Sequence, residues 1–176
     1  MKDNLPELIK TLEFKIGHME QQARECNIEI SNVPERRNEN LLAITTNLGA
    51  AINQKILSSD IVSIHRVPHA SREDTRPKNI IVKFTTKILR DNVLAACRLK
   101  KGLNSEQLSV SGSVHKIYVN EHLTVKNKLL FRECRQKAKI QNYKYVWVKN
   151  SVILLRKSDN SPVLAIRTLH DVVKIK

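Results

Sequence analysis

The sequence predicts an α+β protein built from three consecutive segments, and one pattern in each segment predicts it. Apolar residues in positions 1–26 recur at spacings of four and three, which is typical of a coiled-coil helix. Residues 27–122 alternate strand-like and helix-like stretches in the order βαββαβ. Residues 123–176 begin with a helical pattern and continue with short strand-like runs, which predicts a small, basic α/β C-terminal domain.

The N-terminal helix carries an apolar seam divided between two heptad positions, and its other sites are almost wholly polar. This pattern favours a coiled coil between copies of the chain. The alternative is an amphipathic helix packed on its own domain, because three heptads is the lower limit for a coil. Pro6 fits only in a first helical turn. The seam residues are Leu5, Ile9, Leu12, Ile16, Met19, Ala23 and Cys26.

The central segment supplies four predicted strands and two predicted helices. Asn38 is the predicted cap of the first helix, and Thr86 begins the second. After Gly102 the pattern indicates a hairpin that turns at Ser111 and Gly112. The predicted strands are 27–33, 60–68, 79–84 and 114–120, and the helices are about 38–52 and 86–99.

The order βαββαβ is the split βαβ arrangement of RNA-recognition-motif and other ferredoxin-like domains, so it indicates a fold more strongly than a function. RNA-recognition motifs stack bases on aromatic residues of the two central strands. The corresponding stretches 27–33 and 79–82 contain no aromatic residue. If this domain binds nucleic acid, Arg and Lys side chains should do most of the binding.

The C-terminal segment begins with a helix that Thr124 can cap. On a helical projection, Leu130, Phe131, Cys134 and Ala138 form a packing face. A second face carries only cations, whereas an ordinary solvated face would mix in acids. These cations, called the basic stripe below, are Lys128, Arg132, Arg135 and Lys139.

A hairpin turning at 149–151, a strand near 163–166 and a short helix near 169–173 follow this helix. The hairpin sequence YKYVWVKNSVILLRK holds the only tryptophan and two of the three tyrosines of the chain. Tyr143, Tyr145 and Trp147 share one strand face. We expect this face to lie mainly in the core, with base stacking as the alternative.

The net charge of +14 is uneven along the chain: positions 1–26 carry −1, positions 27–122 carry +5 and positions 123–176 carry +10. A basic segment of this kind attracts phosphate polymers through counterion release. No apolar run approaches the roughly 20 residues of a membrane span, so we expect an intracellular protein. The three cysteines, Cys26, Cys97 and Cys134, have no close pair and are expected to be buried thiols.

An enzymatic function is not expected. The chain has only four glycines and no Gly-rich phosphate loop, and it shows no nucleophile elbow. His65 and His69 flank a proline without a third ligand nearby, and the other histidines are isolated. No metal or other cofactor is therefore predicted.

Five short segments, spread over nearly all of the chain, carry a resemblance to a known family through their order and spacing. They are NIEISNVPE at 27–35, HRVP at 65–68, RPKNIIVKF at 76–84, IYVNEHLT at 117–124 and YKYVWVKNSVILLRK at 143–157. In these segments the chain resembles the first-open-reading-frame proteins of LINE-type retrotransposons, and with them the baculovirus few-polyhedra-protein family.

The resemblance implies a trimerising coiled coil over 1–26, a modified RNA-recognition-motif domain over 27–122 and a basic domain over 123–176. It also implies binding of single-stranded RNA or DNA with little sequence preference, nucleic-acid chaperone activity and cytoplasmic or nuclear ribonucleoprotein particles. Ile and Leu divided between the seam positions favour a dimer on physical grounds. The alternative function is few-polyhedra-type assembly through protein contacts.

The nucleic-acid-contacting positions implied by the resemblance fall on Arg66, Lys78, Lys83, Arg98, Lys128, Arg132 and Arg135. Nearby basic residues complete the set of candidates. These are Arg76, Lys100, Lys101, Lys139, Lys144 and Arg156.

Overall fold

A computed structural model describes residues 4–69 and 71–176, so the first three positions of the predicted coil lie outside the described residues. The protein is of the α+β class, with helices and two antiparallel sheets. The chain forms two compact units: residues 26–122 form one, and residues up to 25 together with 123–176 form the other.

The unit of residues 26–122 has the predicted element order. Its elements are β1 (Asn27–Ser31), α2 (Leu41–Ala51), β2 (Ile61–Arg66), β3 (Ile80–Phe84), α3 (Lys87–Leu99) and β4 (Tyr118–Glu121). The strands form one antiparallel sheet in the order β2-β3-β1-β4, which places β3 and β1 at its centre. Helices α2 and α3 contribute apolar side chains to the core on one face of this sheet.

Alternation along the central strands selects the face that packs. Ile28 and Ile30 of β1, and Ile80 and Val82 of β3, are fully buried in the core. A buried ion pair lies beside this core, since Arg90 Nη1 of α3 is 3.6 Å from Glu121 Oε1 of β4. Removing one partner of such a pair leaves an uncompensated charge, so the pair ties α3 to the edge strand.

Two local predictions for this unit were wrong. Asn40, and not Asn38, caps α2, because its Oδ1 accepts a hydrogen bond from Ala43 N at 3.0 Å. The predicted hairpin at 111–112 also lacks a regular first arm. A single bridge joins Asn104 to Lys116, and β4 begins only at Tyr118. Buried Leu108 and Val110 pack into the core instead of alternating along a strand.

The other unit contains α1 (Leu5–Gln22) and the C-terminal elements. These are α4 (Val125–Ile140), β5 (Tyr145–Lys149), β6 (Val152–Arg156), β7 (Leu164–Ile166) and a 3₁₀ helix (Leu169–Lys174). The strands form an antiparallel sheet in the order β5-β6-β7. Asn150 and Ser151 have φ values of 50° and 62°, as a tight two-residue hairpin turn requires.

The predicted packing face of α4 is confirmed. Leu130, Cys134 and Ala138 are buried in the core of this unit, and Phe131 packs against it. The predicted cap is also confirmed, because Asn127 N donates to Thr124 Oγ1 at 3.3 Å. Gln21 adds a second link, since its Oε1 accepts from Thr124 N at 2.9 Å and so joins the end of α1 to the start of α4.

Helix α1 exposes its predicted seam. The exposed fractions of Leu5, Ile9, Leu12, Ile16 and Met19 lie between 47% and 66%, so the seam does not pack on its own unit. The seam is shorter than predicted, because Ala23 is the C-cap of α1 and Cys26 lies in the turn that leads into β1. Within the described part of the chain, no helix combines the length and apolar character needed to cross a bilayer.

Candidate functional site

The unit of residues 26–122 contains an open groove of about 380 Å³ between the end of α3 and strand β4. The chain reaches it by leaving α3 at Lys100 and turning at Gly102, whose φ of 72° favours glycine. The groove is lined by Cys97, Arg98, Lys100, Lys101, Gly102, Leu103, Lys116, Ile117, Tyr118, Val119 and Asn120. We call it the basic groove.

Charge in the basic groove is of one sign. Arg98, Lys100, Lys101 and Lys116 contribute four cations, and none of the described residues that line it is acidic. Tyr118 is 47% exposed, and the Nζ of Lys116 lies 5.3 Å from the centre of its ring. Burial raises the pKa of the Cys97 thiol to about 12, so the thiol stays protonated and is a poor nucleophile. The groove is therefore suited to holding a polyanion rather than to covalent chemistry.

Three of the predicted binding residues line the basic groove, namely Arg98, Lys100 and Lys101. Lys116 and Tyr118 also line it and were missed as candidates. Their signal was present in the sequence HKIYVN, because residues two apart on an extended chain point to the same side. An alternating basic and aromatic pair at the start of an edge strand is a pattern from which the sequence could have predicted these residues.

Arg66 has a different environment from the groove cations. Its side chain is 9% exposed, and its Nε donates to Glu39 Oε1 at 2.5 Å. The guanidinium also donates to the carbonyl oxygens of Val33, Pro34 and Lys78. The Arg66 hydrogen bond holds the pKa of Glu39 below its usual value. This geometry favours a structural role for Arg66 over the nucleic-acid contact implied by the resemblance.

The other predicted cations of this unit are more exposed. Arg76 is 81% exposed at its side chain, but its Nε and Nη2 donate to Asp74, at 2.9 and 2.5 Å. Lys78 Nζ lies 3.8 Å from Glu35 Oε2. Lys83 is exposed on β3, on the face opposite the core. Acidic partners thus neutralise part of this set.

The basic stripe of α4 lies on the solvent side of that helix. Lys128, Arg132, Arg135 and Lys139 are all exposed, while the packing face of the same helix is buried. The Arg135 guanidinium lies 5.9 Å from the centre of the Phe131 ring. The stripe therefore presents four cations along about three turns of helix, as the sequence predicts.

The prediction that Trp147 lies mainly in the core was wrong. Val146 and Val148 pack against the core of the unit, so Trp147 between them points to the opposite face of the sheet. Tyr143 precedes β5 and packs against the core, unlike Tyr145. The second face, called the Trp147 face below, carries Tyr145, Trp147, Lys149, Val152, Leu154 and Arg156.

Sites for metals are absent from the described residues, which contain no group of three or more His, Cys, Asp or Glu side chains arranged to hold an ion. Cys134 is buried, and burial raises its pKa to about 11. The side chains that the basic groove, the basic stripe and the Trp147 face offer to a ligand are therefore mainly cations and aromatic rings.

Comparison with known protein families gives a match in the C-terminal segment. Residues 124–176 match the family model for baculovirus FP protein domain 2, a segment that contains α4, all three strands of the second sheet and the 3₁₀ helix. The match covers less than a third of the chain and supports the few-polyhedra side of the resemblance. A search of curated proteins finds none that matches the chain.

Proposed function

We propose that the protein is a non-enzymatic, oligomeric binder of single-stranded RNA or DNA with little sequence preference. The observation that carries the proposal is the basic groove, which gathers four cations and a half-exposed tyrosine without a lining carboxylate. Cations that follow a phosphate backbone, together with rings that stack on bases, are how proteins bind single strands without reading sequence.

The basic stripe and the Trp147 face extend the proposal to the C-terminal segment. Single-stranded nucleic acid carries one phosphate for each nucleotide, so separate groups of cations can each hold part of one strand. The proposed contacts are Arg98, Lys100, Lys101, Lys116, Lys128, Arg132, Arg135, Lys139 and Arg156. Arg66 is left out because its donors are engaged within the protein.

The proposal also includes a more specific fold for the unit of residues 26–122. The strand order β2-β3-β1-β4 and the two helices on one face support an RNA-recognition-motif-like domain. The face of its central strands that points away from the core carries no aromatic ring, so binding would move to the edge strand and the groove beside it. From the resemblance we also propose that the protein acts as a chaperone of retroelement RNA. It would do so in ribonucleoprotein particles of the cytoplasm or nucleus.

A direct test is to change Arg98, Lys100, Lys101 and Lys116 together to Gln. Each lost phosphate contact should lower the slope of log K against log[salt] by about 0.7 for a single strand. Filter binding at several salt concentrations, with single- and double-stranded RNA and DNA, measures the slope and the preference between them.

The matched control changes four exposed cations outside the groove, Lys10, Arg37, Lys55 and Arg72, to Gln. The control has the same change in net charge, so it should lose affinity only through long-range attraction and keep most of its salt slope. A groove variant that folds and binds like the control would contradict the proposed site.

A second candidate function is assembly through protein contacts, and the exposed seam of α1 favours it. We propose that copies of the chain associate through this seam. The resemblance implies a homotrimer, whereas the division of Ile and Leu between the two seam positions favours a dimer, and we propose the homotrimer. Changing Ile9, Leu12 and Ile16 to Asp should give a folded monomer.

Sedimentation equilibrium separates monomer, dimer and trimer for the unmodified chain. If the unmodified chain is monomeric at tens of micromolar, the proposed association through the α1 seam is wrong. A stable oligomer that fails to bind either nucleic acid at low salt would favour the assembly function, which the match to the FP domain accommodates.

A further inference from the structure

The Trp147 face has a ring at its centre and smaller aliphatic side chains beside it. Trp147 pairs across the sheet with Leu154, which in turn pairs with Ala165 on β7. None of these three side chains belongs to the core cluster among the described residues. Trp147 and Leu154 are half-buried and lie outside that cluster, so part of the indole remains accessible on this face.

Tyr145, in the next row of the same face, is held in place by its neighbours. Its hydroxyl donates to Asp159, which also accepts from Lys144 Nζ at 2.5 Å. Lys144 Nζ lies 5.1 Å and Arg156 Cζ 5.4 Å from the centre of its ring. These two donors hold the pKa of the Asp159 carboxyl below its usual value, so the cluster persists at neutral pH. Tyr145 therefore positions two cations, and its ring is already occupied.

The charge around the indole indicates what it would contact. Segment 143–157 contains four cations and no Asp or Glu. Two of the cations, Lys149 and Arg156, lie on the same face as Trp147. An apolar ring with cations on the same sheet face is complementary to a base attached to a phosphate backbone, since every base has a π-face and every nucleotide an anion.

We propose that the Trp147 indole stacks on a base of the bound single strand, with Arg156 and Lys149 beside the adjoining phosphates. This inference rests on the proposed function and assigns one subsite of it. Tyr145 serves as a positioning residue for Arg156 and does not stack.

Trp147 is the only tryptophan of the chain, so intrinsic fluorescence reports on this position alone. The unmodified protein is titrated at low salt with an unlabelled 12-residue thymidine strand and with an abasic strand of the same length and charge. Anisotropy of fluorescein-labelled copies of both strands measures binding independently. We expect both strands to bind, and only the thymidine strand to quench tryptophan emission, in step with its binding curve.

Two substitutions complete the experiment. Trp147→Leu should weaken binding of the thymidine strand about tenfold, within the range of base–aromatic stacking, and should leave binding of the abasic strand unchanged. Trp147→Phe keeps a ring and should lose only a few-fold. If Trp147→Leu does not fold, tryptophan quenching in the unmodified protein still shows whether the indole contacts a base.

The outcomes separate the inference from the proposed function. Binding of the thymidine strand without quenching, or equal quenching by the abasic strand, overturns the stacking site and leaves the proposed function standing. Failure of both strands to bind overturns the proposed function and the stacking site together.

Discussion

The two sheets of the molecule use their second faces differently. Each is antiparallel and buries one face against helices of its own unit. In the four-stranded sheet, the second face of the central strands carries Glu29 and Ile81, which are 8% and 1% exposed. In the three-stranded sheet, the second face carries Trp147 and Tyr145, with Arg156 beside them.

This difference shows where cations and rings can lie in a βαββαβ fold whose central strands lack the base-stacking aromatic residues of an RNA-recognition motif. A sheet whose central strands have no ring on the face away from the core can still place cations at its edge, as the basic groove beside β4 does. A second, smaller sheet can supply a ring. Each unit thereby combines cations with an aromatic ring, Tyr118 in the basic groove and Trp147 on the three-stranded sheet.

The comparison is tested most strongly by removing one large side chain from each sheet. Phe84→Ala on the core face of β3 should lower the free energy of unfolding by about 3–5 kcal/mol, because it leaves a cavity at a fully buried site. Trp147→Leu should cost about 1 kcal/mol or less, because the indole lies outside the core. Urea denaturation measures both, and equal losses would place Trp147 in a core.

A smaller effect is expected from one arginine in each sheet. Arg66→Ala should cost about 2 kcal/mol of stability, because Glu39 and three carbonyl oxygens lose their donor. It should leave the salt slope of nucleic-acid binding unchanged. Arg156→Ala should keep stability within about 0.5 kcal/mol and lower that slope by about 0.7.

Thermal melts and salt-dependent filter binding on the same preparations measure both properties of these two variants. The opposite pattern, with stability unchanged and binding weakened in Arg66→Ala, would return Arg66 to the binding surface that the resemblance implies.

The smallest effect concerns pH. The pKa of Glu39 is lowered in the folded protein by its hydrogen bond to Arg66, so its contribution to stability is present above the unfolded value near 4.5. That contribution is lost as the pH falls through the lower folded value. Melting temperatures between pH 7 and pH 3 should therefore fall less steeply for Glu39→Gln than for the unmodified protein.

Asp159→Asn is the control in the three-stranded sheet. Its pKa is also lowered, by Lys144 and Tyr145, but the carboxyl is solvent-exposed, so its removal should hardly change the acid dependence. A larger change for Asp159→Asn than for Glu39→Gln would show that the exposed cluster stabilises the fold more than the half-buried Arg66–Glu39 pair does.

Much of the fold could be predicted from the sequence, because local patterns carry it. Apolar periodicity located α1, α3, α4 and six of the seven strands within a few residues of their observed bounds. The seventh strand, β4, was predicted to start four residues too early. Thr124 was identified as a cap because a side-chain oxygen can reach the amides of the first turn. The basic stripe followed from helical geometry alone, since the angle between residues on a helix is fixed.

The tertiary structure alone decided the surroundings of each candidate side chain. Arg66 and Arg98 are both arginines beside apolar residues, and only the fold brings Glu39 to the first and Lys116 to the second. Both faces of β5 are apolar, so alternation showed that Val146 and Trp147 point apart without showing which of them packs. Helix α4 covers the valine side, and the choice depends on that contact between distant residues.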